Sequence, residues 1–349
     1  MDQVTGTALR PRAEGWWRRE GRAWIRINSQ GLRGKEHDQK KPAGTLRIAI
    51  LGDSFTEALQ VPIEKTFCSL LEATLISCPK LAGRSVEVFN FGVSGFGTAQ
   101  ELLVLHNRVW QYNPDIVILA FCTGNDIMDN SRALGLDPLK PYFVQNHGKL
   151  LLDNSFRSLQ TFRRRRSAFV RFYYWTIDHS YLMQLVQETR RRLTIQPPPS
   201  TGDEFPDGGF GHANVLIYRA ATDPTWREAW NITEDLILAT SDEVKSHGAK
   251  FLLMTLSNAI QVHPDRALRR HFENRMGIED LFYPEQRISS FCQQKGIAVL
   301  QLARSFQDYA DQFHVFLHGF GNTLGNGHWN EEGHRLASQK IAERLCADF

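Results

Sequence analysis

The 349-residue chain lacks a long apolar run. None of its hydrophobic stretches reaches the ~18–20 residues needed to cross a bilayer, so no membrane span is expected. Its start, MDQVTGTALRPR, also lacks the apolar centre of a signal peptide. The compartment stays open: cytoplasmic by default, or exported if an upstream leader is missing.

Cysteines are few, and charge of one sign is not in large excess. The five cysteines are scattered, odd in number and without CxxC spacing. This pattern predicts neither a disulfide framework nor a zinc site. The formal net charge of +3 is too small to indicate a nucleic-acid partner. No HExxH sequence or phosphate-binding loop occurs, so we expect no metal and no cofactor.

What is present is a regular alternation of short apolar runs with helix-like segments. Apolar runs predict strands at 46–51, 85–91, 115–122, 250–256 and 297–302. Helical patterns lie at 65–76, 98–110, 225–247, 285–295 and 331–346. This order predicts an α/β fold with a parallel sheet covered on both faces.

Two parts of the chain fall outside this alternation. Residues 1–44 are interpreted as an N-terminal wrap, with a possible short edge strand at 25–28, and residues 127–224 as a large inserted helical cap. The main domain then comprises residues 45–126 and 225–349. The cap has an apolar stripe at helical spacing, predicted to be its packing face: Phe169, Phe172, Tyr173, Ile177, Tyr181 and Leu185. Its arginine runs are predicted to be solvated, with an anionic partner as the alternative.

Polar residues follow the apolar runs where a parallel sheet binds its ligands, at the carboxyl ends of the strands. The first run precedes Ser54, the second Gly95 and the third Asn125, while His328 precedes the last helix. Each has a structural alternative: a helix cap for Ser54, a turn for Gly95, a cap for Asn125 and a packed ring for His328. Because all four are predicted at one sheet edge, we expect them to meet.

Together these residues suit acyl transfer. A serine hydroxyl needs a base within hydrogen-bond reach, and His328 is the candidate for Ser54. The backbone amides of Ser54 and Gly95 and the side-chain amide of Asn125 are candidate donors to an oxyanion. Asp53 and Asp126 are expected to support the two loops through hydrogen bonds.

The motifs that carry this set are GDS at 52–54, NFGVSG at 90–95, GND at 124–126 and HWNEEGH at 328–334. In this order they resemble those of the SGNH (GDSL-type) hydrolase superfamily, with some likeness to bacterial polysaccharide O-acetyltransferases and esterases. The resemblance implies a three-layer α/β/α sandwich of flavodoxin-like type. It also implies Ser54 as nucleophile, His328 as base, and Gly95 and Asn125 in the oxyanion hole. The expected reaction is hydrolysis or transfer of an ester-linked acyl group, on a small ester or an acylated glycan.

One position departs from that pattern. The family usually has an aspartate three residues before the histidine, where this chain has Gly325, and the polysaccharide-modifying relatives have an acid where this chain has Asn326. Three explanations remain: a Ser-His dyad helped by Asn326 or a backbone carbonyl, an acid from elsewhere, or a weakened enzyme. We favour the first two together. The alternative function is a carbohydrate-binding protein on a hydrolase scaffold, and a carboxylate within reach of His328 would argue against it.

Overall fold

The computed structural model describes residues 1–194 and 212–348, so part of the predicted cap, 195–211, lies outside the described residues. The strands are β1 (Glu14–Trp17), β2 (Ala23–Arg26), β3 (Thr45–Gly52), β4 (Ser85–Asn90), β5 (Ile116–Phe121), β6 (Tyr142–Asn146), β7 (Lys149–Asp153), β8 (Lys250–Thr255) and β9 (Ala298–Gln301). The α-helices are α1 (Ser54–Glu57), α2 (Phe67–Ile76), α3 (Thr98–Asn107), α4 (Asp126–Asp129), α5 (Gln160–Arg165), α6 (Ala168–His179), α7 (Tyr181–Thr194), α8 (Pro224–Ser246), α9 (Arg266–Met276), α10 (Tyr283–Lys295), α11 (Ala303–Phe313) and α12 (Glu331–Asp348).

Five of the described strands form a parallel sheet in the order β4-β3-β5-β8-β9. Successive residues of β3 point to opposite faces, so Ala49 and Leu51 pack with α3, α8 and α10, whereas Ile48 and Ile50 pack with α2, α11 and α12. The predicted three-layer α/β/α fold with a parallel sheet is confirmed.

The strand order explains where a ligand can bind. The first strand of the sheet, β3, lies between β4 and β5, so the chain changes direction across the sheet at the β3–β5 pair. In open α/β sheets, the crevice at such a switch point lies outside the carboxyl ends of the strands. Ser54 follows β3 and Asn125 follows β5, so both lie beside this crevice.

The N-terminal segment forms a β-hairpin of its own. Strand β2 pairs with β1, and it begins and ends two residues earlier than the short strand expected at 25–28. The segment is anchored farther on by Arg33, which is buried and donates hydrogen bonds to the carbonyl oxygens of Glu57 (2.6 Å) and Val61 (2.5 Å). These bonds hold the segment against α1, the helix that begins at Ser54, and the residues that follow it.

The described residues of the predicted insertion form more than helices. Strands β6 and β7 form an antiparallel hairpin that contacts α8, followed by α5, α6 and α7. The prediction that the aromatic stripe is a packing face is wrong for most of its members. Ile177 is buried, but the side chains of Phe169 and Tyr181 are 79% and 90% exposed. Helical spacing identified an apolar face without showing what it contacts. None of the described helices is both long and apolar enough to cross a membrane.

A disulfide joins Cys78 and Cys346, contrary to the expectation from cysteine spacing. The two residues are 268 positions apart, with Cα atoms 6.1 Å from each other. Helices α2 and α12 pack against each other, and this brings the segment after α2 next to the end of α12. The pairing therefore depends on helix packing, which a count of cysteine spacings does not detect.

Replacing both cysteines by serine is expected to lower the free energy of unfolding by about 2–4 kcal/mol, because the crosslink restricts the unfolded chain. Urea unfolding of the oxidised protein and of Cys78→Ser/Cys346→Ser would measure the difference. Dithiothreitol should destabilise the unmodified protein and leave the double variant unchanged. Equal stability of the oxidised protein and the variant would contradict a stabilising role for this disulfide.

Candidate active site

Ser54 is the first residue of α1, and the cap of that helix is its neighbour. Asp53 accepts a hydrogen bond from the backbone N–H of Phe55 at 2.9 Å and so satisfies the helix end. The Ser54 hydroxyl is therefore not needed as a cap. Its Oγ lies 2.8 Å from Nε2 of His328. The structure thus brings together the serine and histidine that the motifs single out.

The other side of the His328 ring faces a carboxylate from the N-terminal hairpin. Oε2 of Glu20 lies 2.6 Å from Nδ1 of His328, and Oε1 accepts the backbone N–H of the same residue at 2.6 Å. Glu20 lies in the turn between β1 and β2, where its carbonyl oxygen accepts a hydrogen bond from Nε1 of Trp17 at 2.7 Å. One carboxylate therefore holds both the ring and the backbone of His328.

Burial raises the pKa of Glu20, but hydrogen bonds and charge interaction with His328 outweigh it, so the pKa lies below its usual value. Glu20 is therefore ionised at neutral pH. Gly327 makes room for it, since a Cβ at that residue would lie 2.2 Å from Oε1 of Glu20. A side chain at 327 would displace the carboxylate from His328.

The expectation that Asn326 orients the ring is not supported by the geometry. Its Oδ1 is buried and has no hydrogen-bond partner among the described residues, while Nδ1 of His328 faces Glu20. Gly325 has no side chain that could orient the His328 ring. Of the three explanations, the acid from elsewhere is the one that the structure contains. Sequence reasoning missed Glu20 because it lies in the wrap, in none of the four motifs.

A second histidine supports the loop that carries His328. The buried His318 lies with Nδ1 2.7 Å from the carbonyl oxygen of Gly327 and Nε2 3.0 Å from Oγ of Ser257. Burial lowers the pKa of His318 to about 4, so its ring is neutral at neutral pH. Gly319 donates its N–H to the carbonyl oxygen of His328 at 2.9 Å. These hydrogen bonds therefore fix the backbone position of His328.

The candidate oxyanion donors lie on the facing loops. Gly95 has a φ of +80°, a left-handed conformation that favours glycine. The loop is held by Ser94, whose backbone N–H donates to Oε2 of the buried Glu57 at 2.6 Å. Nδ2 of Asn125 donates to Oδ2 of Asp53 at 3.1 Å, which orients the amide beside Ser54.

Asp53 and Asp126 accept hydrogen bonds from the backbone or side chains of these loops. Both are fully buried, and Oδ2 of Asp126 accepts the backbone N–H of Cys122 at 2.8 Å, closing the turn that presents Asn125. Burial raises the pKa of Asp53 to about 6, although its hydrogen bonds from Phe55 and Asn125 oppose the rise. Burial also raises the pKa of Asp126 well above its usual range.

Glu101 of α3 adds a third buried carboxyl group to this region. Neither of its side-chain oxygens has a hydrogen-bond partner within residues 1–194 and 212–348. Burial, followed by the nearby charges of Asp53 and Asp129, raises its pKa well above the usual 4.5. The folded protein therefore keeps this carboxyl protonated at pH values where the unfolded chain loses the proton.

Stability is consequently expected to fall as the pH rises above 4.5, because the folded state binds the proton more tightly than the unfolded state. Glutamine cannot ionise, so Glu101→Gln should remove this loss of stability at higher pH. We expect the variant's stability relative to the unmodified protein to increase as the pH rises from about pH 5 to about pH 8. Urea unfolding at both pH values would measure it, with the exposed Glu228→Gln as control. A pH-independent difference would contradict the assignment.

The candidate residues lie at a cleft of about 580 Å³. Ser54, Gly95, Asn125 and His328 line it together with Glu20. The hairpin contributes the rest of one wall, and residues of the insertion contribute apolar side chains. In the described parts of the chain, no group of His, Cys, Asp and Glu side chains is arranged to hold a metal ion.

Comparison with known proteins gives the following relatives. No family model matches the chain. An arylesterase of Vibrio mimicus is 36% identical over 73 residues, which are 21% of this chain and 34% of the arylesterase. The match thus spans about a third of that curated relative.

Among solved structures, a putative lipolytic protein of the G-D-S-L family from Desulfitobacterium hafniense is 13% identical with a TM-score of 0.40, covering 85% of this chain and 98% of that one. An acetyl xylan esterase is 13% identical with a TM-score of 0.41, covering 86% and 100%. A lipase/acylhydrolase from Enterococcus faecalis is 13% identical with a TM-score of 0.41, covering 87% and 96%.

Proposed function

We propose that the protein is a serine esterase that forms an acyl-enzyme on Ser54. The observation that carries the proposal is the continuous contact from Ser54 Oγ to His328 Nε2 and from His328 Nδ1 to Glu20. A nucleophile, a base and a group that orients the base are the requirements for this chemistry. The carboxylate beside His328 is the feature that disfavours the alternative of a carbohydrate-binding protein.

In the proposed mechanism, Ser54 Oγ bonds to the ester carbonyl carbon while its proton moves to Nε2 of His328. The negative charge that develops on the carbonyl oxygen is held by the backbone N–H groups of Ser54 and Gly95 and by the Asn125 amide. Collapse breaks the bond to the alcohol oxygen, which takes the proton from His328. Water, or another alcohol in a transfer reaction, then attacks the acyl-enzyme by the same steps in reverse.

Glu20 is proposed as a positioning residue. Because it accepts a hydrogen bond from Nδ1, it fixes the tautomer in which Nε2 has a free lone pair toward Ser54. Its negative charge also stabilises the imidazolium that forms when Nε2 takes the proton. It has this role without touching the substrate.

The proposed substrate is a small carboxylic ester or an acylated glycan. The cleft of about 580 Å³ lies within the usual ~300–1,000 Å³ of small-molecule sites. Met128, Leu134 and Leu136 give it an apolar side, and Trp17 and Arg19 of the hairpin give it an aromatic and cationic side. This combination suits an acyl group beside a polar alcohol, and arylesterase and acetyl xylan esterase activities among the similar proteins agree with it.

A fluorophosphonate probe followed by peptide mapping tests the proposal. Such a probe reacts with serines that are activated as nucleophiles, so we expect the label on the peptide that contains Ser54. Heat-denatured protein is the control and should stay unlabelled. Labelling at another serine, or no labelling of protein that hydrolyses p-nitrophenyl acetate, would overturn the assignment.

We further propose that the protein works in an oxidising compartment. The Cys78–Cys346 disulfide supports this, because such bonds persist mainly outside the reducing cytosol. Trapping thiols with an alkylating reagent in intact cells should leave these two cysteines unmodified. Alkylation of both in the cellular protein would contradict the proposal.

A further inference from the structure

Helices α6 and α7 present an apolar surface to solvent. Seven large side chains of these helices are between 54% and 90% exposed: Phe169, Phe172, Trp175, Tyr181, Leu182, Leu185 and Leu193. We call this surface the α6–α7 face. Monomeric proteins rarely expose apolar side chains in such concentration unless they bind something there.

The same region is strongly basic. Residues 160–194 contain eight arginines and two acidic residues. Three exposed arginines end the preceding helix α5, Arg163, Arg164 and Arg165, and Arg171 is exposed on α6 itself. Of the two acidic residues, Asp178 is paired with Arg10 of the N-terminal segment. An occupant of this face must therefore offer apolar groups together with negative charge.

The two sides of α7 differ in chemistry. Leu182 and Leu185 lie on the exposed apolar side, whereas Gln184 and Gln187 line a groove shared with Trp17 of the hairpin. Trp17 also lines the cleft that contains Ser54. The polar side of α7 thus faces the hairpin that borders the active site, and its apolar side faces away from the protein.

We propose that the α6–α7 face binds the surface of a membrane that contains anionic phospholipid. Amphipathic helices with aromatic and leucine side chains on one face and arginines beside them lie in the interface between headgroups and acyl chains. Trp and Tyr are favoured at headgroup depth, and arginines are attracted to anionic headgroups.

Co-sedimentation with vesicles tests this proposal. We expect the protein to bind vesicles of phosphatidylcholine mixed with phosphatidylglycerol, and to bind phosphatidylcholine alone much more weakly. Leu182→Ser/Leu185→Ser should lower the partition coefficient about tenfold or more, because two exposed apolar side chains no longer enter the interface. Arg163→Gln/Arg164→Gln/Arg165→Gln should lower it roughly 100-fold on the mixed vesicles.

The matched control is Ile76→Ser/Leu151→Ser, which removes two exposed apolar side chains elsewhere on the surface and should bind as the unmodified protein does. Near-UV circular dichroism verifies that each variant is folded. The inference is independent of the proposed esterase activity, since the measurement can be made with Ser54→Ala.

Equal binding to both kinds of vesicle, or unchanged binding of Leu182→Ser/Leu185→Ser, would overturn the proposal. Sedimentation equilibrium covers the other occupant, a second copy of the chain. A dimer that this variant dissociates, together with no vesicle binding, would assign the face to self-association instead.

Discussion

Ser54→Ala is expected to lower kcat for p-nitrophenyl acetate by about 10⁴–10⁶-fold, the range seen when the nucleophile of a serine hydrolase is removed. Without Oγ there is no acyl-enzyme, and only the oxyanion donors and binding in the cleft remain to assist attack by water. Steady-state kinetics on the purified variant would measure the loss.

Ser94→Ala is the matched control for this substitution. Ser94 lines the same cleft, and its backbone N–H would still bond to Glu57 after the change. We expect kcat to fall less than about tenfold, the cost of one hydrogen bond of about 1 kcal/mol. If the two variants lost activity equally, Ser54 would have no special role and the proposed mechanism would fail.

Glu20→Gln is expected to lower kcat by about 10³–10⁴-fold, by analogy with the loss when a serine protease triad aspartate becomes asparagine. Glu20 accepts two hydrogen bonds from His328, one from Nδ1 and one from the backbone N–H. A glutamine has one acceptor oxygen, so one of these donors must face an NH₂ group. The variant also loses the charge that stabilises the imidazolium.

Two comparisons separate this role from a general effect on folding. Glu14→Gln changes another carboxylate of the same hairpin, one that is paired with Arg26 at the surface, and should leave kcat unchanged. Asn326→Ala should lower kcat less than about threefold if Glu20 orients His328, since a lost neutral contact of a few tenths of a kcal/mol has this effect. A large loss in Asn326→Ala with none in Glu20→Gln would reverse the assignment. Glu20→Asp should recover part of the activity, because it restores the charge at a greater distance.

The sheet could be predicted because its signal is local. A buried parallel strand such as 116–121 consists of consecutive apolar residues, and the helices beside it repeat apolar residues with their own period. The carboxyl ends of such strands share one edge, so the motifs after them were predicted to lie together. In the structure Ser54 and His328 are in contact and Asn125 and Gly95 line the same cleft, although their chemical roles remain predictions.

The contacts that the sequence did not predict join residues that are far apart in the chain. Glu20 reaches His328 across 308 positions, and the disulfide closes across 268. No sequence pattern near Glu20 or near the two cysteines indicates which distant residue each one contacts. In α7, helical spacing predicted an apolar face. The same spacing occurs in a helix whose apolar face is packed on a core and in a helix whose apolar face is exposed.

The amino-acid sequence by itself determined the five strands of the parallel sheet, five of the helices beside it, and the edge where the serine, glycine, asparagine and histidine meet, because burial follows from periodicity within each element. The tertiary structure decided which carboxylate faces His328, which cysteines pair and which side of α7 is exposed. Those contacts depend on how distant segments pack, and packing is a property of three-dimensional shape that no short stretch of residues specifies.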